Sequence, residues 1–293
     1  MQTFHAEGAP EGPAPRAARR STGRGAVRGA AAATVAMWGA SWLILWVSRD
    51  ATWYVAPLFA GLAALAVAGP LSRREIGLTW GRGHYAAATL APLLVVGGVV
   101  WLATLTGVAR VADTGLGTLG LQVATMAVLT GLGSVVTEDG FFRGALWATL
   151  ERGGRSTDTI LAWTSGAYVV WYLPFLWFEP GLSAGPQAMA VHALNLLLLG
   201  LCWGALRLAS GSVLVAAWAH GLWNGLAYTL FGFGAARGAL GVTDPLRFDP
   251  ERGWAGVALN AAVFLWLWRR WRRQRETALA EGARVADEAD PAV

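Results

Sequence analysis

Three ionisable residues, Glu138, Asp139 and Arg143, stand within the segment 137–144, directly after an apolar run that ends at Val136. Charged groups at the end of an apolar helix are costly in a membrane, so they often have a function. Asp139 and Arg143 are four residues apart and share a helix face, which favours an ion pair. Glu138 lies about 100° around the axis from Asp139. We predict that Asp139 and Arg143 brace each other, while Glu138 points into the protein and exchanges a proton. The alternative is a charge cluster that anchors the helix end at the membrane border.

A second polar pair, His220 and Asn224, interrupts the apolar run Val213–Phe231. The two residues are four apart, and polar side chains within a span face the protein rather than lipid. An imidazole with a nearby amide can bind a metal, hold a water molecule or donate to an oxyanion. The alternative is an interhelical hydrogen bond that joins helices. His220 lies roughly 12 Å into its span at about 1.5 Å per residue, so it can meet Glu138 in one cavity open to the cytoplasm.

Two tyrosines, Tyr168 and Tyr172, are also four residues apart in a predicted span that contains Pro174. At least one hydroxyl group is expected to face the interior, although aromatic packing alone would explain either residue.

The composition of the chain indicates that these residues are positioned by membrane-spanning helices. Of the 293 residues, 55% are hydrophobic and 14% are charged, and 17 are Trp. A soluble domain has about a quarter charged residues, so this composition indicates a multi-span membrane protein. All 23 basic residues are Arg, and the formal charge of +5 suits an anionic membrane surface rather than nucleic acid. The single cysteine, Cys202, excludes a disulfide bond within the chain and is interpreted as a small buried apolar residue.

The sequence therefore predicts an all-α membrane protein, a polytopic bundle of about eight transmembrane helices of roughly 20 residues each. The predicted spans are Ala30–Val47, Trp53–Gly69, Ala86–Val108, Leu119–Val136, Thr159–Phe178, Ala188–Leu208, Val213–Phe231 and Trp254–Trp268. Residues 1–28 form an Arg-rich tail predicted to be disordered, residues 29–272 the bundle, and residues 273–293 a C-terminal tail. Alternate loops and both tails hold 17 of the 23 arginines, so both termini are predicted to be cytoplasmic and the chain a multi-pass protein of the cell membrane.

Three motifs in this order resemble those of the CAAX prenyl protease and bacteriocin-processing (CPBP) family of intramembrane endopeptidases, also called the Abi or type II CAAX endopeptidase family. The segment Glu138–Arg143 is similar to the family's Glu-Glu-x-x-x-Arg motif, with Asp139 for the second Glu. The segment from Tyr168 to Tyr172 is similar to its Phe-x-x-x-His motif, and His220-x-x-x-Asn224 matches its third motif. The resemblance covers residues 115–231, a CPBP-like core.

This resemblance implies that Glu138 and the residue at position 172 orient and activate the attacking water, while His220 and Asn224 hold the oxyanion. Tyr172 stands where the family has His, and a phenol with an ordinary pKa of about 10 is a poor base at neutral pH. His192 is predicted to lie on the wrong side of the membrane to replace that imidazole. With one matching imidazole left, a zinc site is disfavoured, because it needs three protein ligands; if a metal is present, Glu138 and His220 would hold it.

Three functions are compatible with these residues. The first is an intramembrane endopeptidase with catalytic residues Glu138, Asp139, Arg143, Tyr172, His220 and Asn224. The second is a catalytically degenerate relative that binds a membrane peptide or protein. The third is a transporter with a carboxylate proton relay, against which stands the lack of an inverted repeat with broken helices. The expected partners are the lipid bilayer and a membrane-associated peptide or protein, with prenylated substrates included; no nucleic acid and no cofactor are expected.

Overall fold

The computed structural model of the chain describes residues 16–49, 53–81, 83–110, 115–178 and 185–289. This part of the chain is almost entirely helical. Its helices are α1 (Arg16–Ser48), α2 (Ala56–Ala68), α3 (Arg73–Ile76), α4 (Tyr85–Leu105), α5 (Leu116–Val136), a π-helix (Asp139–Ala145), α6 (Leu146–Arg152), α7 (Thr157–Phe178), α8 (Pro186–Ser210), α9 (Val213–Phe231), α10 (Pro245–Phe248) and α11 (Trp254–Ala289). The short strands β1 (Gly232–Phe233) and β2 (Ala236–Arg237) form an antiparallel hairpin after α9.

Each of the eight predicted spans coincides with a helix, and the all-α membrane-type fold is confirmed. Within the described residues, five helices are long and apolar enough to cross a membrane: Gly23–Ser48 within α1, then α4, α5, α7 and α8. Helix α2 is apolar but has only 13 residues. Helix α9 has 19 residues, and His220 and Asn224 lower its hydropathy. The count of eight spans and the side on which the termini lie stay predictions.

The two predicted tails overlap helices. Helix α1 begins at Arg16, so residues 16–28, predicted to be disordered, are helical. The reason is local composition, because Ala and Arg are strong helix formers even without an apolar repeat. Residues 1–15 lie outside the described residues. Helix α11 continues through the predicted C-terminal tail to Ala289.

The closest helix contact in the bundle joins α5 to α9 through glycines. Gly131 of α5 faces Gly221 of α9, and a Cβ atom built on Gly221 would overlap the Ala127 carbonyl oxygen. Gly225 lies one turn further along α9, and a Cβ atom built on it would overlap the carbonyl oxygen of Val123 in α5. Small residues let two helix backbones approach closely in a membrane. This contact sets the end of α5, which precedes Glu138, beside the middle of α9, which carries His220.

A buried arginine joins α8 to the π-helix. Arg207 is 6% exposed and donates hydrogen bonds to the carbonyl oxygens of Arg143, at 3.0 Å, and Glu75, at 2.9 Å. The sequence prediction counted Arg207 among loop arginines, whereas its guanidinium group lies inside the protein. It therefore fixes the backbone of the π-helix against the short helix α3.

Candidate active site

The π-helix carries the charged motif. All seven of its residues, Asp139–Ala145, are buried, and Glu138 directly precedes it. A π-helix has hydrogen bonds from residue i to residue i+5 and is found mostly at functional sites. The change of helix type therefore falls at the same place as the costly charges.

Asp139 and Arg143 form the ion pair that their spacing predicts. The Arg143 Nη1 and Asp139 Oδ1 atoms are 3.6 Å apart, and both side chains are completely buried. The Arg143 guanidinium group also lies over the Tyr168 ring, 4.6 Å from its centroid, where the ring face attracts a cation. Tyr168 thus provides packing for the arginine as well as a hydroxyl group near Glu138, with which it interacts.

His220 lies between the two carboxylates. Its Nδ1 atom is 3.0 Å from Asp139 Oδ2, and its Nε2 atom is 3.9 Å from Glu138 Oε2. The ring stacks on Trp203 of α8, with centroids 5.9 Å apart and planes at 17°. Stacking on one face and a hydrogen bond at one edge fix the orientation of the imidazole.

This geometry decides what His220 can do. An ionised carboxylate only accepts hydrogen bonds, so His220 Nδ1 donates to Asp139. In the neutral ring Nε2 is then an acceptor, and in the imidazolium ion it is a donor. The role of oxyanion donor that the resemblance implies for His220 requires the imidazolium form, which the Asp139 carboxylate stabilises. Asp139 therefore orients His220 in addition to bracing Arg143, a contact that residue spacing alone did not predict.

Glu138 opens onto a cavity of about 330 Å³. The wall opposite it is aromatic and includes Tyr54, Tyr172, Phe175 and Phe233. The Glu138 Oε2 atom is buried and has no hydrogen-bond partner within the described residues. Because the Glu138 side chain is 18% exposed and lines this cavity, a water molecule or a substrate amide in the cavity can reach its carboxylate group.

Tyr172 faces Glu138 across this cavity but has another partner. Its hydroxyl group interacts with that of Tyr228 on α9, and its ring lies 6.3 Å from the ring of His192. His192 is 1% exposed, and its Nε2 atom is 3.4 Å from Glu251 Oε1. His192 therefore lies close to Tyr172. The prediction that it lies on the other side of the membrane from the position of the missing imidazole is wrong.

A simple count along the sequence would have placed His192 correctly. Helices α7 and α8 are consecutive and packed against each other. Tyr172 is six residues before the end of α7, and His192 is six residues after the start of α8. Residues equally far from the connection of two antiparallel helices lie at the same depth, because both helices rise by about 1.5 Å per residue.

Asn224 is one helical turn beyond His220 on α9 and is 9% exposed. In the described part of the chain, no side-chain hydrogen bond joins Asn224 to the other candidate residues. Its predicted role as an oxyanion donor stays a prediction.

Glu138 and His220 are the two candidate metal ligands, and their Oε2 and Nε2 atoms lie 3.9 Å apart. Among the described residues, no group of three or more His, Cys, Asp and Glu side chains is arranged to hold a metal ion. Asp139 lies next to this pair, but its Oδ2 atom is engaged by His220 Nδ1. The residues present therefore do not fit a site with three protein ligands.

The fold is that of a helical membrane protein in which two carboxylate groups and an imidazole meet at one centre. Residues 120–226 match a known protein family, described as Rce1-like: Type II CAAX prenyl endopeptidase Rce1-like. The matched segment contains all six candidate residues, and the match confirms the family resemblance carried by the three motifs. Comparisons with curated proteins and with solved structures gave no match.

Proposed function

We propose that this chain is an intramembrane endopeptidase that hydrolyses a peptide bond with a water molecule activated by Glu138. The observation that carries the proposal is the position of the Glu138 carboxyl group. The side chain is half-buried and lines the cavity, and its Oε2 atom lies 3.9 Å from the Nε2 atom of an imidazole that Asp139 holds in place.

The proposed reaction uses the side chains as follows. Glu138 takes a proton from a water molecule in the cavity, and the water oxygen attacks the peptide carbonyl carbon. The oxyanion of the tetrahedral intermediate accepts a hydrogen bond from the protonated His220 Nε2. The C–N bond then breaks, and the proton held by Glu138 passes to the leaving amine. This transfer leaves Glu138 ionised again, and the products are a carboxylic acid and an amine, which become a carboxylate and an ammonium ion in water.

The substrate class follows from the surroundings. The family description names prenyl endopeptidases, and the site lies within a bundle of apolar helices. A peptide held at a membrane by an apolar group would bring its scissile bond to this depth, because a free soluble peptide would first have to leave water. The proposed substrate is therefore a membrane-associated peptide, with a prenylated C-terminal segment as the first candidate.

A Glu138→Gln variant tests the proposed function. The amide keeps the size of the side chain but cannot take a proton, so cleavage of a farnesylated peptide by protein in liposomes should fall by at least about 10³-fold. Glu276→Gln removes a carboxylate from an exposed position on α11 and is the matched control. Cleavage by the Glu138→Gln variant at the rate of the parent would refute the mechanism.

The second candidate function, a membrane peptide-binding module without catalysis, is supported by the position of Tyr172. Its hydroxyl group interacts with Tyr228, and no imidazole from α7 faces Glu138 in the described residues. A parent without cleavage and a Tyr172→His variant with cleavage would favour this second function. A parent whose cleavage depends on Glu138 would favour the first.

A further inference from the structure

Two adjoining cavities lie outside the candidate active site, where the beginning of α1 meets the end of α6. The larger has a volume of about 710 Å³ and the smaller of about 460 Å³, and Arg152 lines both. We refer to the larger as the apolar trough and to the smaller as the basic pocket. Neither contains a residue of the proposed catalytic site.

The apolar trough owes its width to two glycines, which have no side chains to fill it. Gly25 and Gly29 of α1 line it, and a Cβ atom built on either glycine would meet no other atom within 4 Å. Leu65 and Leu71, at the end of α2 and just after it, form part of the opposite wall. A surface of helix backbone and leucine side chains, between two helices of an apolar bundle, is complementary to an alkyl chain.

The basic pocket contains two arginines without partners. Arg152 is engaged, because its guanidinium group binds the Glu75 carboxylate at 2.6 Å and the carbonyl oxygens of Gly69 and Pro70. In contrast, Arg24 and Arg155 are exposed, and neither side chain has a hydrogen bond or ion pair within the described residues. Two free guanidinium groups thus line one pocket at the end of the trough.

We propose that the apolar trough and the basic pocket together bind one anionic phospholipid. The acyl chain lies in the trough against Gly25 and Gly29, and the phosphate group lies between Arg24 and Arg155. A guanidinium group presents a fork of donors that fits a phosphate, and it is always charged. Basic pockets between transmembrane helices on the cytoplasmic side are a known type of site for anionic head groups. The arginine distribution predicts that this end of the bundle is cytoplasmic. The acyl chain of a zwitterionic lipid fits the trough equally well, but its head group has a weaker electrostatic attraction to the two arginines of the pocket.

The head-group half of the proposal is tested by lipid retention. Purified full-length protein in detergent is incubated with dioleoyl phosphatidylglycerol or dioleoyl phosphatidylcholine, and the bound lipid is counted by native mass spectrometry. We expect the parent to retain the anionic lipid in preference to the zwitterionic one. Arg24→Gln and Arg155→Gln should each weaken that retention about fivefold, the size expected for one arginine near a charged membrane surface. Arg73→Gln with Arg74→Gln removes two positive charges, one more than either pocket variant, from exposed positions on α3 and should leave retention unchanged.

The acyl-chain half is tested without changing any charge. Leucines introduced by Gly25→Leu and Gly29→Leu fill the trough, and a Cβ atom at either position meets no other atom within 4 Å. Retention of phosphatidylglycerol should fall in this double variant. Gly39→Leu is the matched control, because Gly39 lies on α1 in equally open space and outside both cavities.

Three results would overturn the proposal. The first is equal retention of the two lipids by the parent, and the second is loss of retention in the Arg73 and Arg74 control to the same extent as in the pocket variants. The third is competition by inorganic phosphate or glycerol phosphate that removes the lipid completely, which would identify a site for a soluble anion. Retained lipid in the trough-filled variant would place the acyl chain elsewhere and contradict the assignment of the trough.

Discussion

The side chain of Asp139 is bound on two sides, by the Arg143 guanidinium group and by the His220 imidazole. Its role in the proposed reaction is indirect, because the Glu138 carboxyl group and not Asp139 lines the cavity. Asp139 holds His220 so that Nε2 faces Glu138 at 3.9 Å. The relation is that of the carboxylate to the imidazole in a catalytic triad, where the carboxylate sets tautomer and orientation.

Asp139→Asn should therefore reduce catalysis, and it should also lower the unfolding temperature, because it leaves the buried Arg143 guanidinium group without its counter-ion. The amide keeps the shape but can present its NH₂ group to His220 and does not stabilise the imidazolium ion, so kcat should fall between about 10²- and 10⁴-fold. The measurement is cleavage of the farnesylated peptide together with thermal unfolding in detergent. Asp158→Asn, at an exposed position in the first turn of α7, is the control. A variant with parental kcat would show that Asp139 serves the fold alone.

The site is partly predictable from the sequence. The Asp139 and Arg143 pair follows from i,i+4 spacing within a single element, and the meeting of Glu138 with His220 follows from their depth in two spans. The bond from His220 to Asp139 does not follow, because it joins side chains 81 residues apart across a π-helix whose register differs from that of an α-helix. Sequence periodicity assumes one helix type throughout, so it cannot state which of two adjacent carboxylates a distant ring will meet.

At the scale of helices, the fold is predicted well where apolar runs are long and less well at their ends. The apolar runs behind α4, α5, α7 and α8 all led to correct predictions, and each of these four helices has more than 20 residues. The start of α1 was missed because its first turns are held by intrinsic helix propensity rather than by an apolar pattern. The burial of Arg207 was missed because an arginine near a helix end resembles a loop charge until its two carbonyl partners are known.

The contact between α5 and α9 gives a second prediction. Gly221→Val places a branched side chain where even a Cβ atom would overlap the Ala127 carbonyl oxygen. We expect the two helices to be forced apart at a cost of about 1–3 kcal/mol in stability, with loss of cleavage, because His220 is the preceding residue. Thermal unfolding and peptide cleavage measure the two effects.

Gly133→Val is the control for this change, because a Cβ atom at Gly133 has no other atom within 4 Å. If both variants unfold at the parental temperature, the close approach of α5 and α9 does not contribute to stability as argued.

Helix α3 gives a pH-dependent prediction. The hydrogen bonds from the Arg152 guanidinium group, and then those from Ser72, lower the pKa of the Glu75 carboxyl group to about 2. The pKa of Glu75 is lower in the folded protein than in the unfolded chain. The stability that the Glu75 carboxylate contributes is therefore complete above the unfolded pKa, and it is lost as the pH falls through the folded pKa. Because both partners are largely exposed, the contribution is less than about 1 kcal/mol.

Glu75→Gln should consequently lower the unfolding temperature slightly at pH 7, and its difference from the parent should shrink as pH falls from 5 towards about 2. Thermal unfolding across this pH range is the measurement, with Glu276→Gln for comparison. A difference that grows as the pH is lowered would contradict the assignment to Glu75.

For the molecule as a whole, the orientation in the membrane is open to a direct test. The only cysteine, Cys202, is 2% exposed, so an introduced surface cysteine can be labelled selectively. The arginine distribution predicts that Arg73→Cys reacts with an impermeant maleimide only from the cytoplasm, and Arg237→Cys only from outside. Labelling of intact cells and of inside-out vesicles distinguishes the two sides. The reverse pattern would invert the orientation and with it the predicted side of substrate entry.

The connection between α8 and α9 consists of Gly211 and Ser212 alone. Gly211 adopts a left-handed conformation with φ of 65°, and the Ser212 hydroxyl group accepts hydrogen bonds from the first amides of α9. Helix α9 is a weak membrane segment by itself, because His220 and Asn224 would meet hydrocarbon during biogenesis. A two-residue turn ties α9 to the more apolar α8, and Trp203 of α8 already stacks on the His220 ring. We expect the two helices to enter the bilayer as one hairpin, so that the polar side chains of α9 are shielded by α8 from the moment of insertion.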